Sequence, residues 1–133
     1  METILVADDD RVVLFTLAEG LRDAGYRVIE ARDGQSALSL CQREEIDLAL
    51  LDIRMPGLDG IDLATRLRDE TQVPFLFLSA YDDDDSVRRA LETGALGYLV
   101  KPLEVAGLLP IVRAALLRAQ DQAGVACLPT FGG

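Results

Sequence analysis

The chain contains no histidine, and its two cysteines, Cys41 and Cys127, lie far apart with no Cys-x-x-Cys pair. Nothing is therefore available to complete a zinc site of the usual nitrogen and sulfur ligands, and both cysteines are expected to be free, reduced thiols. No apolar run approaches the roughly 18 to 20 residues that span a bilayer, and Met1 to Asp10 has neither a basic n-region nor a cleavable apolar stretch. A soluble, cytoplasmic protein with no membrane partner is expected. Basic residues are scarce, 13 Lys and Arg against 23 Asp and Glu, for a formal charge of −10 and a pI near 4.3. That balance opposes the phosphate contacts that dominate nucleic-acid affinity, so no direct nucleic-acid binding is expected. What the chain does have is hydrophobicity in half of its 133 residues, enough for one domain with a sizeable core.

Thr3 to Ala7, Asp47 to Leu51 and Phe75 to Leu78 are short apolar runs that suit strands buried on both faces. Tyr26 to Ala31 alternates and Tyr98 to Val100 is short, as edge strands are. Between them run helical stripes. Leu14, Leu17, Ala18 and Leu21 fall at i, i+3, i+4, i+7, as do Leu108, Ile111, Val112 and Ala115, and weaker stripes occur at Ala37, Ile61 and Val87. Gly25 and Gly94 stand where the first and fourth helices should stop. Strict alternation of strand and helix implies parallel strands, right-handed crossovers and helices on both faces. The expected class is α/β, a flavodoxin-like (βα)5 doubly wound sheet in the order 2-1-3-4-5. Pro110 should kink the last helix or delay its start, and the chain loses periodicity from Ala123 onward, as a tail or linker does.

In that order the first and third strands are neighbours, and a ligand is expected where their carboxyl ends meet. Asp8 and Asp9 directly follow the first strand and Asp52 follows the third. Two unit charges about 5 Å apart repel by roughly 3 kcal/mol at an effective dielectric near 20, so this cluster calls for a cation or a proton. Oxygen ligands alone favour a hard ion such as Mg²⁺. Lys101 at the end of the fifth strand and Ser79 at the end of the fourth bring an ammonium and a hydroxyl to the same rim. A carboxylate nucleophile, a divalent ion and an ammonium together suit phosphoryl transfer.

The strings Ile4 to Asp10 (ILVADDD), Leu50 to Gly60 (LLDIRMPGLDG), Leu78 to Ala80 (LSA) and Gly97 to Pro102 (GYLVKP) resemble those of receiver (CheY-like) domains of two-component response regulators. The resemblance runs from about Thr3 to Ala119, which places a receiver domain over residues 1–120 and a tail or linker stub over 121–133. It implies that Asp52 is the phosphoacceptor and that Asp8, Asp9 and Asp52 hold Mg²⁺ with the backbone carbonyl of Arg54. It also assigns Lys101 to the phosphoryl oxygens, Ser79 and Tyr98 to a coupled switch, and a cis bond to Lys101-Pro102. The implied donor is a sensor histidine kinase or a phosphotransfer protein. A change in the surface of helix 4, strand 5 and helix 5, where family members also form homodimers, would carry the signal.

Bland readings remain beside these. Asp10 suits a helix cap better than a metal ligand, and Asp82 to Asp85 at the start of the fourth helix complement its dipole rather than forming a second metal site. Arg88 and Arg89 suit either a solvated face or a partner surface, and Leu109 and Leu117 are apolar beyond the core stripe. Arg54 and Tyr81, each two residues past a site residue, should flank the phosphoryl group and shield it from water. Arg54 stands where an aspartyl phosphohydrolase would carry its second acid, so the protein is expected to be a signalling phosphoacceptor and not a multiple-turnover enzyme. A pseudo-receiver, folded alike but never phosphorylated, is the alternative.

Overall fold

The computed structural model describes residues 1–127. Five strands alternate with five helices: β1 (Thr3–Ala7), α1 (Arg11–Asp23), β2 (Arg27–Ala31), α2 (Gly34–Arg43), β3 (Leu48–Leu51), α3 (Gly60–Glu70), β4 (Phe75–Ser79), α4 (Asp84–Leu91), β5 (Tyr98–Val100) and α5 (Val105–Cys127). The strands form one parallel sheet in the order β2-β1-β3-β4-β5. This is the expected flavodoxin-like arrangement, and no helix among the described residues is long and apolar enough to cross a membrane.

Every residue of β1, β3 and β4 is buried, because successive side chains feed two cores on opposite faces. Ile4, Val6, Leu48, Leu50, Leu76 and Leu78 meet Leu14, Leu17 and Leu21 of α1 and Leu108 and Val112 of α5. Leu5, Ala7, Ala49, Leu51, Phe75 and Phe77 meet α2, α3 and Ala90 of α4. Cys41 lies in this second core, where burial pushes its thiol up to about 12 and leaves it neutral. The edge strands β2 and β5 alternate or stay half-exposed, in keeping with their sequences.

Four helices open on an aspartate in extended backbone whose carboxylate accepts a first-turn amide: Asp10 for α1, Asp33 for α2, Asp59 for α3 and Asp83 for α4. Four of the 23 acidic residues are thus spent on helix caps. Gly25 and Gly94 follow α1 and α4 with positive φ, the backbone at which each helix was expected to stop. By contrast α4 is short and buries only Ala90, leaving Leu91 exposed, so it is the helix least held by the core.

The last helix departs from expectation. It begins at Val105 and runs through Pro110 without interruption, continuing past residue 120, where the tail was placed, as far as Cys127. Pro110 falls in the second turn, so only the carbonyl of Ala106 loses its amide donor, and Leu108, Val112, Ala115 and Leu116 still bury a continuous stripe. Residues 128–133 of the expected tail lie outside the described residues.

Gly60 sets α3 directly on the exit of β3. Its amide donates to the Ile53 carbonyl at 2.7 Å, and a Cβ there would sit 2.0 Å from the Asp52 carbonyl oxygen. Main chain cannot yield as a flexible side chain does. Gly60→Ala is expected to destabilise the fold by about 1–3 kcal/mol, the range for overpacking, read as a lower urea midpoint with unchanged slope. An unchanged midpoint would show that the α3 start shifts freely.

Candidate phosphoryl-transfer site

The sheet ladder continues past the formal strand ends into the site. The Asp8 amide donates to the Ala31 carbonyl at 3.1 Å, the Asp52 amide to Ala7 at 3.0 Å and the Lys101 amide to Ser79 at 2.8 Å. Asp8, Asp52 and Lys101 are therefore held by three separate strand pairings, and their side chains meet at the carboxyl rim. One carboxylate oxygen from each of Asp8, Asp9 and Asp52 lies within 4.8 Å of the others. Asp8 and Asp52 are buried and Asp9 is exposed, so the cluster has a closed floor and an open side.

Lys101 Nζ donates to Asp8 Oδ2 at 2.6 Å and to Asp52 Oδ2 at 3.2 Å. The second oxygen of Asp8 accepts the Asp10 amide at 2.9 Å. Burial raises the Asp8 carboxyl above its ordinary range, although Lys101 and the Asp10 amide pull it down and the charge of Asp52 adds to the rise. Burial also works against the Lys101 ammonium, but its hydrogen bond to Asp8 and the charge of Asp52 outweigh that and raise its pKa. The asymmetry has a simple source: one ammonium faces two carboxylates, whereas each carboxylate has only a share of it. Three acids against one base leave negative charge uncompensated.

The donor set fits a hard divalent cation. It offers oxygens only, from three acids with an excess of negative charge and an opening at Asp9. Asp10 turns away from this role. Its Oδ1 accepts the amides of Val12 and Val13 at 2.9 and 3.3 Å, the cap assigned to it from sequence. Asp83, Asp84 and Asp85 occupy the cap and first turn of α4, where the dipole favours them.

Ser79 is fully buried at the end of β4, and its Oγ accepts the Tyr81 amide at 3.3 Å. Tyr98, half-buried on β5, donates its hydroxyl to the Tyr81 carbonyl. Its ring lies 6.0 Å from that of Phe77. Burial raises the Tyr98 phenol, with the Ser79 hydroxyl opposing and the charges of Asp83, Asp52 and Asp82 adding to the rise, so it stays a donor. The exposed Arg54 stacks its guanidinium over the Tyr81 ring, 4.6 Å from its centroid. Sequence reasoning placed Arg54 and Tyr81 beside the site but missed this contact and the hydrogen bonds made by the Tyr81 backbone. On α5, Leu109 packs against the core, whereas Leu117 is 55% exposed beside Ala106, Pro110 and Arg113.

Residues 4–113 match the family model of the response regulator receiver domain. Among curated relatives, the transcriptional regulatory protein PdtaR of Mycobacterium tuberculosis is 38% identical over 119 residues, which cover 89% of this chain and 58% of that protein. The chain thus spans little more than half the length of that relative. Among solved structures, a CheY-like receiver domain protein from Methanospirillum hungatei superposes with a TM-score of 0.86 at 25% identity, over 92% of this chain and 98% of that one. The BeF3-activated N-terminal receiver domain of Klebsiella pneumoniae RstA gives 0.82 at 35% identity, over 86% and 98%.

Proposed function

The chain belongs to the response regulator receiver domain family, and from that premise we propose that it accepts a phosphoryl group on Asp52 from a sensor histidine kinase or phosphotransfer protein. The observation that carries this reading is the Asp52 carboxylate at the end of β3, tied to Lys101 and clustered with Asp8 and Asp9. A free oxygen of Asp52 attacks phosphorus, the P–N bond of the donor phosphohistidine breaks, and the imidazole leaves with its electron pair and takes a proton. Asp8, Asp9, Asp52 and the backbone carbonyl of Arg54 would hold Mg²⁺, which when bound neutralises charge on the transferring oxygens. Lys101 supplies the same help through its ammonium and orients Asp52.

The phosphoryl group replaces one negative charge with nearly two and adds strong acceptor oxygens. Ser79 turns its hydroxyl toward them, Tyr98 follows, and α4, β5 and α5 present a different face. Two features suit that role: α4 is weakly anchored, and Leu91, Val100 and Leu117 leave apolar surface exposed for a partner or a second copy. Water ends the signal by attacking phosphorus and displacing the Asp52 carboxylate. In this reading Arg54 and Tyr81, each two residues past a site residue and stacked on one another, shield that approach. An Arg54→Ala, Tyr81→Ala double variant is expected to lose its phosphoryl group about fivefold faster, a barrier change of about 1 kcal/mol, timed by phosphate release. Equal or slower hydrolysis would refute the shielding.

The deciding experiment is intact mass after incubation with acetyl phosphate, with and without Mg²⁺. One Mg²⁺-dependent phosphoryl adduct is expected. Its absence from a folded protein would favour the pseudo-receiver, a pure interaction module.

A further inference from the structure

The connection from β3 to α3, which carries the Arg54 carbonyl, is held at both ends by glycines that open helices. A Cβ on Gly60, the first residue of α3, would lie 2.0 Å from the Asp52 carbonyl oxygen, and a Cβ on Gly34, the first residue of α2, would lie 2.0 Å from the Leu58 carbonyl oxygen. Between these points Ile53 and Met55 bury their side chains and Leu58 packs against the same core, while Arg54 is exposed. The connection is pinned from below by its own apolar residues and from the side by α2. Gly34 belongs to a different strand-helix unit, so its contact places the connection relative to the rest of the rim.

The start of α2 is itself tied to the acids. The Ala31 carbonyl, at the end of β2, accepts the Asp8 amide at 3.1 Å, and only Arg32 and Asp33 separate Ala31 from Gly34. Asp33 caps the helix by accepting the Ser36 amide at 2.7 Å, which fixes the first turn. Arg32, Asp33 and Ser36 line one cleft with Pro56 of the connection and with Asp9. The turn between β2 and α2 is thus a short strut from the acids to the connection.

The geometry points to Gly34 as a positioning residue for the cation site: by letting α2 seat against the Leu58 main chain, it sets how far the Arg54 carbonyl stands from Asp8, Asp9 and Asp52. The inference rests on the reading that these groups hold Mg²⁺, and it names the contact that gives the site its size. A side chain at residue 34 has to push Leu58 or α2 aside, because a carbonyl oxygen of the main chain cannot swing away as the end of a side chain does. Mg²⁺ tolerates little displacement of its ligands, since it demands near-octahedral oxygens at about 2.0–2.1 Å, whereas Ca²⁺ accepts about 2.3–2.6 Å in a flexible shell. Loosening the seat of α2 therefore costs Mg²⁺ binding more than Ca²⁺ binding.

The test measures Mg²⁺ and Ca²⁺ affinities of the unphosphorylated protein by calorimetric titration, for wild type, Gly34→Ala and Gly20→Ala. Gly20→Ala makes the same chemical change in α1, where the Cβ would meet the Val105 side chain at 2.4 Å on the other face of the sheet from α2. Gly34→Ala is expected to weaken Mg²⁺ binding by about tenfold to a hundredfold, the span for losing a residue that orients metal ligands, and Ca²⁺ binding by less than about threefold. Gly20→Ala should leave both affinities unchanged even as it lowers the urea midpoint. Equal losses for the two ions, or wild-type Mg²⁺ affinity in Gly34→Ala, would overturn the inference. If Gly34→Ala does not fold, the cap provides the second handle. Asp33→Ala frees the first turn of α2, whereas Asp33→Asn keeps a capping oxygen and removes only the charge in the cleft beside Asp9. A fall in the preference for Mg²⁺ over Ca²⁺ in Asp33→Ala alone supports the seat, and the same preference in both variants overturns it. Wild type that binds neither ion overturns the Mg²⁺ reading and the inference with it, while wild-type binding that Gly34→Ala leaves untouched overturns the inference alone.

Discussion

An Asp52→Asn variant is expected to take no phosphoryl group from acetyl phosphate and yet, in chelator, to unfold at a higher urea concentration than the wild type. The two effects have one origin. Asp52 shares with Asp8 and Asp9 a space in which carboxylate oxygens lie within 4.8 Å, and Lys101 alone offsets them. Charges at such distances repel by roughly 3 kcal/mol per pair at an effective dielectric near 20. The amide removes that repulsion and keeps an oxygen that Lys101 can donate to. After allowing for the weaker bond to Lys101, a net gain of about 1–2 kcal/mol is expected without metal. Millimolar Mg²⁺ should narrow or reverse the gap, since the ion stabilises whichever folded state binds it better, and the wild type presents one more carboxylate. An adduct on the Asn variant would move the acceptor to another residue. Lower stability in chelator would mean that the attraction of Lys101 to Asp52 exceeds the repulsion among the acids. A site that gains stability when one of its acids is neutralised carries a cost that the proposed phosphoryl transfer would explain.

Lys101→Ala is expected to have the opposite effect on stability and a larger one. The side chains of Asp8 and Asp52 are only 3% and 10% exposed, and the variant would leave them side by side with no cation. Breaking a buried pair by removing one partner costs about 3–5 kcal/mol, and the open side at Asp9 places this case toward the lower end. Lys101→Met, which fills similar space without the charge, should lose nearly as much, separating charge from packing. The loss should shrink as pH falls. Burial already holds Asp8 above its unfolded value, and without the lysine the rise is greater. The folded state then binds a proton before the unfolded state does, so the penalty present at neutral pH is relieved as pH drops through the raised folded pKa. Urea unfolding in chelator at neutral and mildly acidic pH measures both effects. A loss under about 1 kcal/mol at neutral pH would show that water and ions screen the site well enough without Lys101. Adduct formation in either variant should slow sharply, because the ammonium that holds Asp52, and that in the proposed reaction would meet the phosphoryl oxygens, is gone.

Much of this molecule was determined by the order of residue types along the chain. Alternating apolar runs and stripes allow only parallel strands with helices on both faces, and Asp8, Asp9, Asp52, Ser79 and Lys101 each end or follow a strand, so the topology alone gathers them on one rim. Asp10 was legible as a cap because capping is local, a matter of two or three residues. Local rules served α5 less well, where Pro110 argued for a kink or a late start and the loss of periodicity from Ala123 for a tail. Burial of Leu108, Val112, Ala115 and Leu116 against the sheet and α1 outweighs the one amide donor that Pro110 lacks, and the helix runs on to Cys127. Only the tertiary structure decided how the gathered residues engage one another. That Lys101 binds Asp8 and Asp52 at once, and that Tyr81 holds Ser79, Tyr98 and Arg54 through three different groups, depends on distances between segments far apart in the chain. Residue order sets which side chains reach a rim, but the register of neighbouring strands and the path of the connections set the few ångströms over which hydrogen bonds and charges act.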